Sequence, residues 1–256
     1  MNLDRTVIDR HLGQQRYPLL FVTVSGAHLY GFDSPDSDYD LRGCHVTTAR
    51  ELFRLDPPGE TIEVMEKPPP PAIEMDLVTH DARKFFTLLL KNNGYVLEQV
   101  FSPLVVQAAP EFEELKALAV GCITRHHRHH FLSFAQNQWE LVVKGGRPTT
   151  KGLLYTYRVI LAGIHLMRSG RVESNLRVLN REFKLGFVDD LIAMKIAGAE
   201  KAEAKGQDLA WHEREFARLV GVLDEARAAT SLPEEVDPKS RAGLNELLVR
   251  LRLQTV

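Results

Sequence analysis

Four carboxylates, Asp33, Asp36, Asp38 and Asp40, crowd the stretch SGAHLYGFDSPDSDYDLRG (residues 25–43). Asp38 and Asp40 are two apart in an alternating segment, so they project from one face of a strand. Two like charges on one face repel unless a cation lies between them. Oxygen-only donors suit Mg²⁺, which takes one or two carboxylates together with substrate phosphates. Glu74 and Asp76 in AIEMDLVT (72–79) are also two apart, and either can serve as a third carboxylate. An EF-hand reading fails at two positions: Leu41 stands where the loop needs Gly, and Thr47 where it needs a bidentate Glu. Asp33 and Asp36, with Ser34 and Pro35, fit a connecting turn whose side chains bond their own backbone.

These residues need elements to hold them. YPLLFVTVSG (17–26) is apolar and β-branched and stops at Gly26, which predicts a buried strand. SDYDLRGCHV, ETIEVMEK and AIEMDLVT alternate and give three more strands, with PPPP (68–71) as a loop between the last two. A short helix is expected over 2–15. DARKFFTLLLKNNG (81–94) reads as a helix with Asp81 at its N-terminus and Gly94 past its end. YVLEQVF suggests another helix, PLVVQ an edge strand, and Pro110 with Glu111 opens the next helix. Beyond about residue 121 only helices are expected, over 124–144, 149–168, 187–204, 208–229 and 238–252. The fold class is therefore α+β: a small mixed sheet with helices over residues 1–120, then an all-helical domain over 121–256.

The long motif around Asp38 and Asp40 resembles the signature of the DNA polymerase beta-like nucleotidyltransferases. That signature is a strand, a Gly-Ser turn into a short helix, then Asp-x-Asp on the next strand and a third Asp later. The branch it resembles most is the nucleotidyltransferases linked to RNA repair (the RlaP family). HDARKFFTLLLKNNGYVLEQVFSP, KGLLYTYRVILAG and LPEEVDP extend the likeness along most of the chain. The resemblance implies transfer of a nucleoside monophosphate, AMP by family habit, from an NTP such as ATP to a hydroxyl. The acceptor is an RNA end, a protein or a small molecule.

It also implies two Mg²⁺ (or Mn²⁺) ions about 3.5–4 Å apart, held by Asp38, Asp40 and a third carboxylate that the signature places at Asp76. Ser25, Gly26, Ala27 and His28 form the turn that would hold phosphate. Here Ala27 replaces the family's Ser, which removes one hydroxyl contact. Arg42 shares the face of the Asp pair and pairs with either the triphosphate or a carboxylate. Lys151 and Arg158 are two helical turns apart on the segment resembling the family's phosphate-contacting helix. Tyr155 between them either stacks on a base or packs in the core.

The 256 residues carry a formal net charge of -2, so no global basic field favours a long nucleic-acid footprint. An RNA 3′ end needs only a small one. Two cysteines without metal spacing fit a reduced, cytoplasmic protein, and Cys44 reads as a packed strand residue. No apolar run is long enough for a membrane span. His126 and His130 in RHHRHH are a helical turn apart, but no third ligand is evident, so the cluster reads as a basic face. His80–Asp81 resembles the dipeptide of metal phosphohydrolases, though Asp81 also stands where a helix wants its cap. Trp139 and Trp211 are expected as core anchors. The alternatives to an active transferase are a nucleotide-binding regulatory module of the same fold, and a metal phosphohydrolase.

Overall fold

The computed structural model describes residues 5–34, 37–66, 74–144, 149–198 and 208–254. The Pro run 68–71 and Asp36 lie outside the described residues. The N-terminal part runs α1 (Arg5–Gly13), β1 (Leu19–Val24), α2 (Gly26–Tyr30), β2 (Tyr39–His45), α3 (Ala49–Leu52), β3 (Thr61–Glu66), β4 (Met75–Asp81), α4 (Ala82–Leu90), α5 (Gly94–Val100), β5 (Val105–Ala108) and α6 (Phe112–Val120). Helices follow: α7 (His127–Lys144), α8 (Thr150–Ser169), α9 (Leu176–Phe183), α10 (Gly186–Ala197), α11 (Leu209–Ala229) and α12 (Pro238–Gln254). This is the expected α+β architecture.

The strands form one sheet in the order β3-β4-β2-β1-β5. β2 and β4 run parallel, and the other neighbouring pairs are antiparallel. A parallel pair needs a crossover connection, supplied here by the stretch containing α3 and β3. In that pair Asp40 stands opposite Asp76, flanked by Tyr39 opposite Met75 and Leu41 opposite Leu77. The alternation sorts chemistry from packing. Tyr39, Leu41, Met75 and Leu77 are buried on one face with Ile8 and Leu12 of α1, each leucine worth about 2 kcal/mol of burial. Asp40, Arg42 and Asp76 therefore stand on the other face.

A second, larger core covers the rest of that face and continues from Leu20 and Phe21 through Phe85, Phe112 and Leu154 to Leu251 of α12. It runs unbroken across residue 120. Asp81 caps α4 where the sequence places it, its side chain accepting from the Arg83 amide at 2.9 Å; Asn93, which the sequence reading did not single out, caps α5, so Gly94 opens that helix. The short helix α2 stands where the family signature implies one, α3 and α9 were not foreseen, and the expected helix 187–204 is described only as far as Ala197. Trp139 stacks on Phe216 as anticipated. Trp211 does not anchor the core: it is 39% exposed, edge-on to Phe187 and His212.

Candidate active site

β1 is followed by Ser25, whose amide donates to the Asp40 carbonyl at 2.7 Å. The chain then turns through Gly26 at φ +62°. A Cβ at Gly26 would overlap the Asp40 carboxylate, coming within 2.9 Å of its Cγ. Only glycine gives both the left-handed backbone and this close approach. The turn thus lies directly on one carboxylate oxygen of Asp40. Ala27 packs partly buried against the main core. His28 stands 3.5 Å from Asp33 and tilts against the Tyr39 ring.

Asp40 and Asp76 are tied together by Arg42. Its Nη2 donates to Asp40 Oδ1 at 2.9 Å and to Asp76 Oδ2 at 2.8 Å. Its Nη1 donates to the carbonyls of Leu41 and Asp76, both at 2.8 Å. Its Nε donates to the Tyr95 hydroxyl at 2.7 Å. Of the two roles open to Arg42 in the sequence, the structure places it in the carboxylate pair. Asp76, rather than Glu74, shares this network. Glu74 precedes β4, is exposed, and accepts the Tyr39 amide on its carbonyl. Asp38 is exposed, one residue before β2 and two from Asp40.

Burial raises the Asp40 carboxyl above its ordinary value; Arg42 opposes this, Asp76 adds to it, and Lys151 opposes it again. Burial works against the Arg42 charge, yet Tyr95, Asp40 and Asp76 together hold the guanidinium above its ordinary value. Burial likewise raises the Tyr95 hydroxyl.

A cavity of about 540 Å³ opens onto this network, within the size range of small-ligand sites. One wall is Ser25, Gly26, Asp40 and Arg42; the facing wall is His130, Ser133, Phe134 and Asn137 of α7, with Tyr155 of α8. Lys151 acts electrostatically on Asp40, and its ammonium lies 6.0 Å from the centre of the Tyr155 ring. Tyr155 meets Tyr30 and Phe32 edge-on, so it is both packed and cavity-lining.

Arg158 is a correction to the sequence reading. The same face of α8 that starts at the cavity runs into the core two turns later. Arg158 is 1% exposed, donates to Glu98 at 2.8 Å, and covers the Tyr30 ring at 3.8 Å. It supports the cavity wall through Tyr30 and does not reach a ligand there.

Of the α7 contributors, His130 belongs to the RHHRHH cluster read as a basic face toward nucleotide, acceptor or solvent, while Ser133, Phe134, Asn137 and Tyr95 were not singled out from sequence. The spacing 130, 133, 134, 137 marks one helical face. The rest of RHHRHH diverges: His127 is buried, and His126 lies 3.4 Å from Glu234 and stacks on His129. Asp81 accepts from the Thr47 amide and from Arg252 besides capping α4, while His80 pairs with Thr61.

Among the described residues, no three Asp, Glu, His or Cys side chains converge as a ready metal site. The donor set is nevertheless all carboxylate oxygen, the chemistry of a hard divalent cation. Asp38 and the Asp40 oxygen lying on Gly26 are donors of the type such an ion takes. The space between Asp40 and Asp76 does not admit one, because Arg42 fills it.

A family model described as the RNA repair pathway DNA polymerase beta family (RlaP) matches residues 3–250. The chain belongs to the RlaP family. Protein MJ0002 of Methanocaldococcus jannaschii is 34% identical over 158 residues, 61% of this chain and 63% of that one. YcgL of Bacillus subtilis is 26% identical over 156 residues, 60% of this chain and 58% of its own length. The match thus spans about six-tenths of these relatives. The crystal structure of a nucleotidyltransferase-like protein from Exiguobacterium sibiricum aligns over 98% of this chain and 78% of that one, at 14% identity and a TM-score of 0.33. As an RlaP protein the chain belongs to a DNA polymerase beta family. No described helix is long and apolar enough to cross a membrane.

Proposed function

We propose that this RlaP protein transfers a nucleoside monophosphate, AMP by preference, from an NTP to a hydroxyl acceptor. The observation that carries the proposal is the register of Asp40 opposite Asp76, on the cavity side of the sheet, with the Gly26 turn against Asp40. The acceptor oxygen would attack the α-phosphorus, its bond to the pyrophosphate oxygen would break, and pyrophosphate would leave while the acceptor loses its proton. Asp38 and Asp40 would hold Mg²⁺ or Mn²⁺ with the nucleotide. A divalent ion bound there polarises phosphoryl oxygens and offsets the charge of the leaving group.

The side chains have distinct tasks in this reading. Lys151 acts electrostatically on Asp40 and would meet the triphosphate. Tyr155 and Phe134 offer ring surface to the base. Ser25 has committed its amide to Asp40 and its hydroxyl lies 3.5 Å from the Tyr30 hydroxyl, so the later amides of the turn would meet phosphate. Asp76 holds one oxygen against Arg42 and would take the acceptor's proton on the other. An RNA 3′ end is the favoured acceptor, on the strength of the family description.

The test is incubation with α-labelled NTPs, Mg²⁺ and panels of RNAs, proteins and small hydroxyl compounds. Label on the acceptor with release of pyrophosphate supports the proposal. Ala27, lacking the hydroxyl, favours a second reading as a nucleotide-binding module without transfer. Tight NTP binding with no labelled acceptor would select it.

A further inference from the structure

Arg42 has more partners than a phosphate-binding arginine can have. A guanidinium carries five N–H donors. All five are used: one on Tyr95, one on the Leu41 carbonyl, one on the Asp76 carbonyl and one on each carboxylate of Asp40 and Asp76. None remains for a triphosphate oxygen. Its side chain is 14% exposed, and those of Asp40 and Asp76 are each 29% exposed. The charge is fixed, because arginine does not deprotonate in proteins. The position between Asp40 and Asp76 therefore already holds a permanent cation.

A Mg²⁺ ion bridging the same two carboxylates would need oxygens at about 2.0–2.1 Å and the space the guanidinium fills. It would also have to break the two hydrogen bonds from Nη2 to these carboxylates and displace a positive charge held by three further hydrogen bonds. We propose that Arg42 is the built-in substitute for one of the two metal ions, so the site works with a single divalent ion, held by Asp38 and Asp40 with the nucleotide. This rests on the nucleotidyl-transfer reading and deepens it. Arg42 is then a positioning residue. It fixes the rotamers of Asp40 and Asp76 and neutralises one of their two charges, while leaving the Asp40 oxygen on Gly26 to the ion.

Arg42→Met keeps the aliphatic stem of the side chain and removes the guanidinium with its charge and its donors. With the fixed cation gone, two carboxylates face each other on neighbouring strands, and a second divalent ion becomes the way to relieve their repulsion.

The measurement is the number of Mn²⁺ ions bound per chain, counted by electron paramagnetic resonance of the free ion. The full-length protein carries one equivalent of a non-hydrolysable ATP analogue. One ion in the wild type and two in Arg42→Met are expected. Two ions in the wild type would overturn the substitution by Arg42 and leave nucleotidyl transfer standing. No bound ion in the wild type would overturn both. One ion in a folded Arg42→Met, checked by circular dichroism, would also overturn the proposal, since the missing site would then owe nothing to Arg42. Should Arg42→Met not fold, the wild-type count decides alone.

Discussion

At the residue scale, the site depends on a few close approaches that leave little tolerance. Gly26→Ala adds a Cβ on top of the Asp40 carboxylate and puts an alanine at φ +62°. We expect a loss of about 1–3 kcal/mol in stability and near-complete loss of transfer, seen together in urea unfolding and in turnover. A variant with wild-type turnover would show that the turn does not position Asp40.

Asp76→Asn keeps the shape of the side chain and one acceptor for Arg42. It should lower turnover more than about 100-fold, the scale of several kcal/mol of lost charge stabilisation, with a folded protein by circular dichroism. Activity retained in Asp76→Asn and lost in Glu74→Gln would transfer the role to Glu74. The Asp38–Asp40 pair and the strand stop at Gly26 were readable from residue type and spacing, whereas the choice of Asp76 over Glu74 and the role of the Gly26 turn came with the family resemblance. The five-donor engagement of Arg42 was not readable, because its partners Asp76 and Tyr95 come from remote segments.

At the element scale, α8 explains why spacing alone overreached. Lys151, Tyr155 and Arg158 lie along one side of a helix, yet that side passes from the cavity mouth into the core within two turns. Sequence periodicity reports a shared face, not the depth at which each residue lies. Arg158 and Glu98 form a buried ion pair, in which burial raises the Glu98 carboxyl and Arg158 pulls it back.

Arg158→Met leaves Glu98 without its partner and uncovers the Tyr30 ring. A loss of about 3–5 kcal/mol is expected, measured by chemical denaturation. Adding Glu98→Leu should recover much of it if the cost is the orphaned charge. An additive double variant would contradict that cause. The strands were readable because β2 and β4 alternate so cleanly. α9 was missed because its start, an Asn175 side chain accepting from the Arg177 and Val178 amides, sits in a polar stretch that reads as a break.

At the scale of the whole molecule, the helical half holds the loop that carries the acids. Arg177 donates to the Gly31 carbonyl at 2.6 Å and Lys195 to the Ser34 hydroxyl at 2.7 Å, bracketing the way into β2. Arg252 of α12 reaches the Thr47 carbonyl and Asp81, locking the far ends of β2 and β4. Such contacts join segments more than 140 residues apart, and no local pattern announces them.

Stability should depend on pH through two buried histidines. Burial lowers His45 and His127 to about 4 from 6.5. Between those values the unfolded chain binds protons that the folded chain refuses, so stability is full above about 6.5 and falls as the pH drops toward 4. Urea midpoints at pH 7.5, 5.5 and 4.5 should decrease in that order. A flat profile from 7.5 to 5.5 would contradict burial of the two rings.

The central claim is that the carboxylates brought into register by β2 and β4 carry out nucleotidyl transfer. Its most direct test is pyrophosphate release from ATP with Mg²⁺ and an RNA acceptor, comparing wild type with Asp40→Asn. The account predicts acceptor-dependent pyrophosphate from the wild type and its loss, by more than about 100-fold, in a folded Asp40→Asn. Equal release from both proteins, or orthophosphate in place of pyrophosphate, would contradict it.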